Sequence, residues 1–123
     1  MALQYSIVVR NGALDDHETK IGTAPILELR SGSPPADCAT APSGTLLAQF
    51  ALPSDWLAAA SAGSKAKAGT WSGTGLTSGT IGHFRIYESG SPSVCHIQGT
   101  VGLSASDMIV DNTSIAAAQT VTV

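Results

Sequence analysis

Ile81-Gly82-His83-Phe84-Arg85-Ile86-Tyr87, followed after a short interval by Val94-Cys95-His96-Ile97-Gln98-Gly99-Thr100-Val101, decides the fold. Both runs favour β-branched and aromatic residues and have the length of strands. Residues 88–93, with Gly90 and Pro92, supply the turn between them, so the segment reads as an antiparallel hairpin. Period two puts Gly82, Phe84 and Ile86 on one face and His83, Arg85 and Tyr87 on the other. Phe84, Ile86 and Ile97 are expected in the core.

Upstream, Ile26-Leu27-Glu28-Leu29-Arg30 alternates and is stopped by Ser31-Gly32-Ser33-Pro34-Pro35. A loop over residues 36–43 carries Cys38. Residues 45–52 form the next strand, with Leu46, Ala48, Phe50 and Leu52 on one face, and Pro53 ends it. Residues 54–60 read as a short helical turn capped by Ser54. Lys65 and Lys67, alternating with alanines, suit an exposed edge strand. Residues 70–75 continue it. Downstream, Met108-Ile109-Val110 and Gln119-Thr120-Val121-Thr122-Val123 are two further strands.

Before all of this, residues 5–21 read as a helix. Tyr5, Val8, Val9, Leu14 and Ile21 form its apolar stripe, and Glu18 and Lys20 lie on its polar side. Ser6-Ile7-Val8-Val9 also fits a short strand, and Gly22 stands where a left-handed C-terminal residue belongs. The expectation is one mainly β domain: an N-terminal helical segment over residues 1–22 and a β-sandwich or jelly-roll-like body over residues 25–123. The helix is expected to cover one sheet opening.

The chain has 123 residues, a net charge of −3 and only 12% charged residues, about half the share of roughly 25% in an ordinary soluble domain. Six basic residues cannot make a nucleic-acid-binding patch. No stretch reaches the length of a membrane span, about 18 apolar residues. Met1-Ala2-Leu3-Gln4-Tyr5 lacks the basic and apolar regions of a secretory signal. Folding in a cytoplasm is therefore expected, with Cys38 and Cys95 reduced, unless the two meet in space and form a disulfide.

Candidates for chemistry are few. His83 and His96 lie on paired strands, but two histidines fall short of a metal site, and His17 is remote in sequence. Their plain role is as half-exposed strand residues. Cys95 and His96 are strand neighbours and point to opposite faces. Asp15 and Asp16 diverge by about 100° on a helix. Ser72-Gly73-Thr74-Gly75 lacks the lysine and helix of a phosphate loop. No nucleophile has an oriented base, so no catalytic residue, cofactor or metal is expected. Trp56 and Trp71, both beside turns, suit either the ends of a sandwich core or partner anchors.

Many short runs resemble a group of small tailed-phage and prophage proteins. They begin with Tyr5-Ser6, Val9-Arg10-Asn11, Leu14-Asp15 and Ile21-Gly22-Thr23, and continue through Leu29-Arg30-Ser31-Gly32, Gly44-Thr45-Leu46-Leu47-Ala48 and Leu52-Pro53-Ser54-Asp55-Trp56. They extend to Gly69-Thr70-Trp71-Ser72-Gly73-Thr74, Gly82-His83-Phe84-Arg85-Ile86-Tyr87, Cys95-His96-Ile97-Gln98-Gly99-Thr100-Val101 and Asp111-Asn112-Thr113. The resemblance implies a virion structural protein without enzymatic activity, foremost a capsid decoration or cement protein. A head–tail connector or tail component is the alternative, and a carbohydrate-binding surface module a further one. The implied partners are the major capsid protein or other virion subunits and further copies of the chain, as trimers, with neither nucleic acid nor membrane. The implied location is the virion, after folding in the host cytoplasm. Tyr5, Trp56, Trp71, Gln119, Val121 and Val123 are the expected partner-contact residues; the last strand, without a charged gatekeeper, invites a neighbour to cover its edge.

Overall fold

The computed structural model describes residues 2–89 and 94–123, so residues 90–93 of the expected hairpin turn, with Gly90 and Pro92, lie outside the described residues. The chain is mainly β, with one N-terminal helix, α1 (Ile7–Ile21), and nine strands among the described residues. These are β1 (Ile26–Arg30), β2 (Leu46–Ala51), β3 (Ser72–Thr74), β4 (Gly79–Thr80), β5 (His83–Tyr87), β6 (Cys95–Gly102), β7 (Met108–Ile109), β8 (Ser114–Ile115) and β9 (Thr120–Thr122). The large sheet runs β2-β1-β5-β6-β7, and two ribbons, β3-β9 and β4-β8, complete the strand set.

Cross-strand register sorts the large sheet into two chemically distinct faces. Phe50, Leu27, Ile86 and Ile97 form one apolar row, and Ala48, Leu29, Phe84 and Gly99 form the next. Trp56, Trp71, Ile81, Ile115 and Val121 join this face's cluster. The opposite face carries the row Gln49, Glu28, Arg85, Gln98, flanked by Arg30 with His83 and by Tyr87 with Cys95. Alternation along each strand produces this division. Yet all five residues of β5 are buried. The expected half-exposure of His83 is therefore overturned: a loop over residues 31–45 covers the polar face. His83 pairs with Thr100 across the hairpin and does not face His96.

Gly82 is required by close approach. A Cβ there would strike the Gly32 carbonyl, and its own N–H donates to the Arg30 carbonyl at 2.8 Å.

The alanine-rich stretch after Trp56 is not helical. Leu57 bridges Lys67, and Ser61 bridges Ser64 around an Ala62-Gly63 turn with φ of 52° and 75°. Two positive φ values in a row define the hairpin turn whose twist matches its strands. Leu46 is also out of phase, because the register shifts between Leu29 and Arg30, and Leu47 takes the core place instead.

Helix α1 starts where Ser6 accepts a hydrogen bond from the Val9 N–H at 3.3 Å. It ends where the Gly22 N–H donates to the Glu18 carbonyl at 2.9 Å, with Gly22 at φ 93°. The expected apolar stripe does not pack: Tyr5, Val8 and Val9 are exposed, and Ile21 is the helix's one buried residue.

Candidate functional site

The helix is moored by polar groups. Asn11, Asp15 and Glu18 recur at helical spacing and accept backbone N–H bonds from Gly63, Ala60 and Leu57 at 2.9, 2.9 and 3.1 Å. Lys65 donates to Asp15 at 2.7 Å, to Glu18 at 3.2 Å and to the Ala58 carbonyl at 2.8 Å. Its side chain is enclosed, which corrects the reading of Lys65 as an exposed edge residue. Lys65 holds Asp15 below the usual carboxylate range, assisted by the Ala60 N–H. Burial works against the Lys65 charge, but its bonds to Asp15 and Glu18 outweigh this and raise its pKa. Acidic residues on a helix ordinarily read as a solvated face; here two of them bind the backbone of a hairpin.

This mooring takes the middle and end of α1 and leaves its beginning free. Leu3, Tyr5, Ile7, Val8 and Val9 are all at least half exposed, with Leu3 and Val8 at 80%. They lie within seven residues of one another, interrupted by Gln4 and Ser6. Isolated exposed apolar residues are ordinary, whereas a contiguous group marks a contact surface.

The other expected contact residues fall in two places. Trp56 and Trp71 are buried, with ring centroids 6.0 Å apart. Trp56 Nε1 donates to the Gly22 carbonyl at 3.0 Å, and Trp71 Nε1 to the Trp56 and Ala68 carbonyls at 3.2 and 3.1 Å. The tryptophans therefore serve the core and present no ring to a partner. Gln119 is exposed, Val121 is buried against the core and Val123 is half-buried. β9 pairs with β3 within the chain, and a cleft of about 190 Å³, with Ser114, Gln119 and Thr120 in its lining, runs along its flank.

A second cleft, about 230 Å³, lies between α1 and β6 and brings Asp16, His17 and Lys20 beside His96. Sequence separation concealed this meeting. Among the described residues, no group of three or more His, Cys, Asp or Glu side chains is gathered as a metal would require.

Beneath the covering loop lies the polar sheet face. Glu28 accepts from Arg30 Nε at 2.8 Å and from Gln49 Nε2 at 3.0 Å. Arg85, fully buried, donates through one terminal nitrogen to the Cys38 and Thr40 carbonyls at 2.8 and 3.0 Å. Gln98 donates to the Pro35 carbonyl at 2.7 Å, and His83 Nδ1 to the Gly32 carbonyl at 2.9 Å. A carbonyl only accepts, so the His83 proton sits on Nδ1. Burial, followed by the nearby Glu28 charge, raises the Tyr87 pKa. Chemically, this face is a clamp on a loop.

Comparison with protein-family models, with curated proteins and with solved structures finds no match in any of the three. Among the described residues, no helix is long and apolar enough to cross a membrane.

Proposed function

We propose that the chain is a non-enzymatic structural protein of a tailed-phage virion, foremost a capsid decoration protein that binds the shell and stabilises the head. The observation that carries this reading is the exposure of Leu3, Tyr5, Ile7, Val8 and Val9 at the start of a helix whose later turns are moored by polar groups. A surface of that kind suits permanent burial against another subunit. Low charge supports it, because few ions need desolvating on contact. The resemblance of the quoted motifs to phage proteins supplies the setting. On this reading the ribbons and the large sheet form a small sandwich of jelly-roll type, and the chain assembles as trimers against the major capsid protein. A carbohydrate platform loses support, since Tyr5 is the one exposed aromatic among the described residues.

The test is quantitative mass spectrometry and electron microscopy of particles purified from cells carrying the gene. A copy number matching the capsid lattice is expected. A number matching one ring at the neck or tail selects the connector alternative, and absence from particles overturns the proposal. Light scattering of the purified chain checks the trimer.

A further inference from the structure

Cys38 and Cys95 lie on either side of β2 and β5 in sequence, yet the fold places both beside Arg85: its guanidinium donates to the Cys38 carbonyl at 2.8 Å, and Cys95 pairs with Tyr87, two residues along the same strand face. Cys38 sits in the loop that covers the polar sheet face, and Cys95 opens β6 opposite Tyr87. Three anchors fix the loop there. Asp37 accepts from the Thr40 N–H and hydroxyl, both at 2.8 Å, which folds residues 37–40 into a tight turn. Arg85 grips the carbonyls of Cys38 and Thr40 from below. Gln98 holds the Pro35 carbonyl. Both cysteines are partly accessible and neither is in a disulfide. The Cys95 thiol donates to the Ile97 carbonyl at 3.4 Å. Its pKa is pushed up to about 11, first by burial and then by the neighbouring Cys38 thiol, with Arg85 acting in the opposite sense. Arg85 thus stands between the loop that carries Cys38 and the strand end that carries Cys95.

We infer that Cys38 and Cys95 form a single oxidisable dithiol site, reduced when the chain is made and closed to an intramolecular disulfide by a low-molecular-weight disulfide such as oxidised glutathione. In the first step the Cys38 thiolate attacks one glutathione sulfur. The Cys38–glutathione bond forms, the glutathione S–S bond breaks, and one glutathione thiolate leaves. In the second step Cys95 gives its proton to water and attacks the Cys38 sulfur, expelling the second glutathione. Two protein thiols are oxidised and one glutathione disulfide is reduced to two thiols. The bond staples the loop to β6 and encloses the Arg85 clamp. Closing a chain segment this long restricts the unfolded state. The inference stands independently of the virion reading.

The experiment incubates the purified full chain with oxidised glutathione at low protein concentration and then counts thiols in denaturant. Expected are no free thiols, a mass lower by two hydrogens, and a tryptic fragment joining residues 31–65 to residues 86–123. The Cys95→Ser chain should stop as a stable glutathione adduct on Cys38, since no second thiol is present to displace it. Two thiols remaining reactive, two lasting glutathione adducts per chain, or only chain-to-chain disulfides would each overturn the inference.

Discussion

Strand β5 and helix α1 are held to the same body by opposite means. Every residue of the five-residue strand is buried, whereas the fifteen-residue helix buries Ile21 alone. β5 lies between an apolar layer and a polar loop. Its attachment is broad, with apolar packing on one side and hydrogen bonds from His83 and Arg85 to the loop on the other. α1 is tied by Asn11, Asp15 and Glu18 to one hairpin, and Ile7, Val8 and Val9 at its start are exposed. Apolar burial fixes the first region, and a few charge-assisted hydrogen bonds fix the second. The sheet is the scaffold, and the helix is tied beside it with the apolar residues at its start exposed.

The comparison breaks most severely at its apolar pole. Replacing Phe84 by Ala removes a ring packed between Leu29 and Gly99 in the central row. A loss of about 3–5 kcal/mol is expected from large-to-small substitution in a core. Urea unfolding followed by tryptophan fluorescence measures it, since Trp56 and Trp71 share that cluster. A loss below about 1 kcal/mol, the level of surface changes, would remove β5 from its role as scaffold.

A smaller and local effect is expected at the polar pole. Lys65→Met deprives Asp15 and Glu18 of their shared cation and the Ala58 carbonyl of its donor. Amide exchange in α1 should rise about tenfold while β5 keeps its protection, because segments open independently according to their own contacts. A uniform rise across both elements would mean that the helix is integral to the core. pH gives the same separation without mutation. Asp15 is depressed, so its contribution is present above its ordinary value of 3.8 and is lost as pH falls through the lower folded value. Lys65 is raised, so its contribution is complete below 10.5 and is lost as pH climbs through the higher folded value. Helix exchange should therefore be slowest between about pH 4 and pH 10 after correction for intrinsic rates.

These two regions also differ in how far the sequence discloses them. Period-two alternation in β1 and β5 directly encodes the two faces of the sheet, and Phe84 and Ile86 are found in the core as expected. What alternation does not encode is a loop dense enough in carbonyls to cover Glu28, His83 and Arg85. Burial of a charge depends on partners far away in sequence, such as Cys38 and Thr40 for Arg85. The hairpin that receives the helix was hidden for a different reason. Its turn uses Ala62 before Gly63, where Asn or Asp is the usual signal, and the preceding alanines have high helix propensity. With the hairpin unseen, Asp15 and Glu18 have no visible partner, and Tyr5, Val8 and Val9 look like a packing stripe. Of the expected contact residues, Tyr5 and Gln119 lie on the surface, whereas the tryptophans follow the general preference of large aromatics for the core.

The smallest expected effect on stability is also the sharpest test of the helix start. Val8 is 80% exposed and lies on the first turns of α1, beyond the reach of the Lys65 mooring. Val8→Ser exchanges a β-branched apolar side chain for a short polar one and leaves no cavity, since nothing encloses the site. Unfolding of the isolated chain should change by no more than about 0.5 kcal/mol, the range of surface substitutions. If the apolar helix start is a contact surface, the same substitution must weaken association, because burying a hydroxyl without a partner costs free energy that a valine does not incur. Light scattering of the purified chain and occupancy on particles measure that second quantity. Unaltered folding with reduced association places Val8 in an interface. Unaltered folding with unaltered association, repeated for Val9→Ser, would show that the exposure of the helix start has no part in assembly.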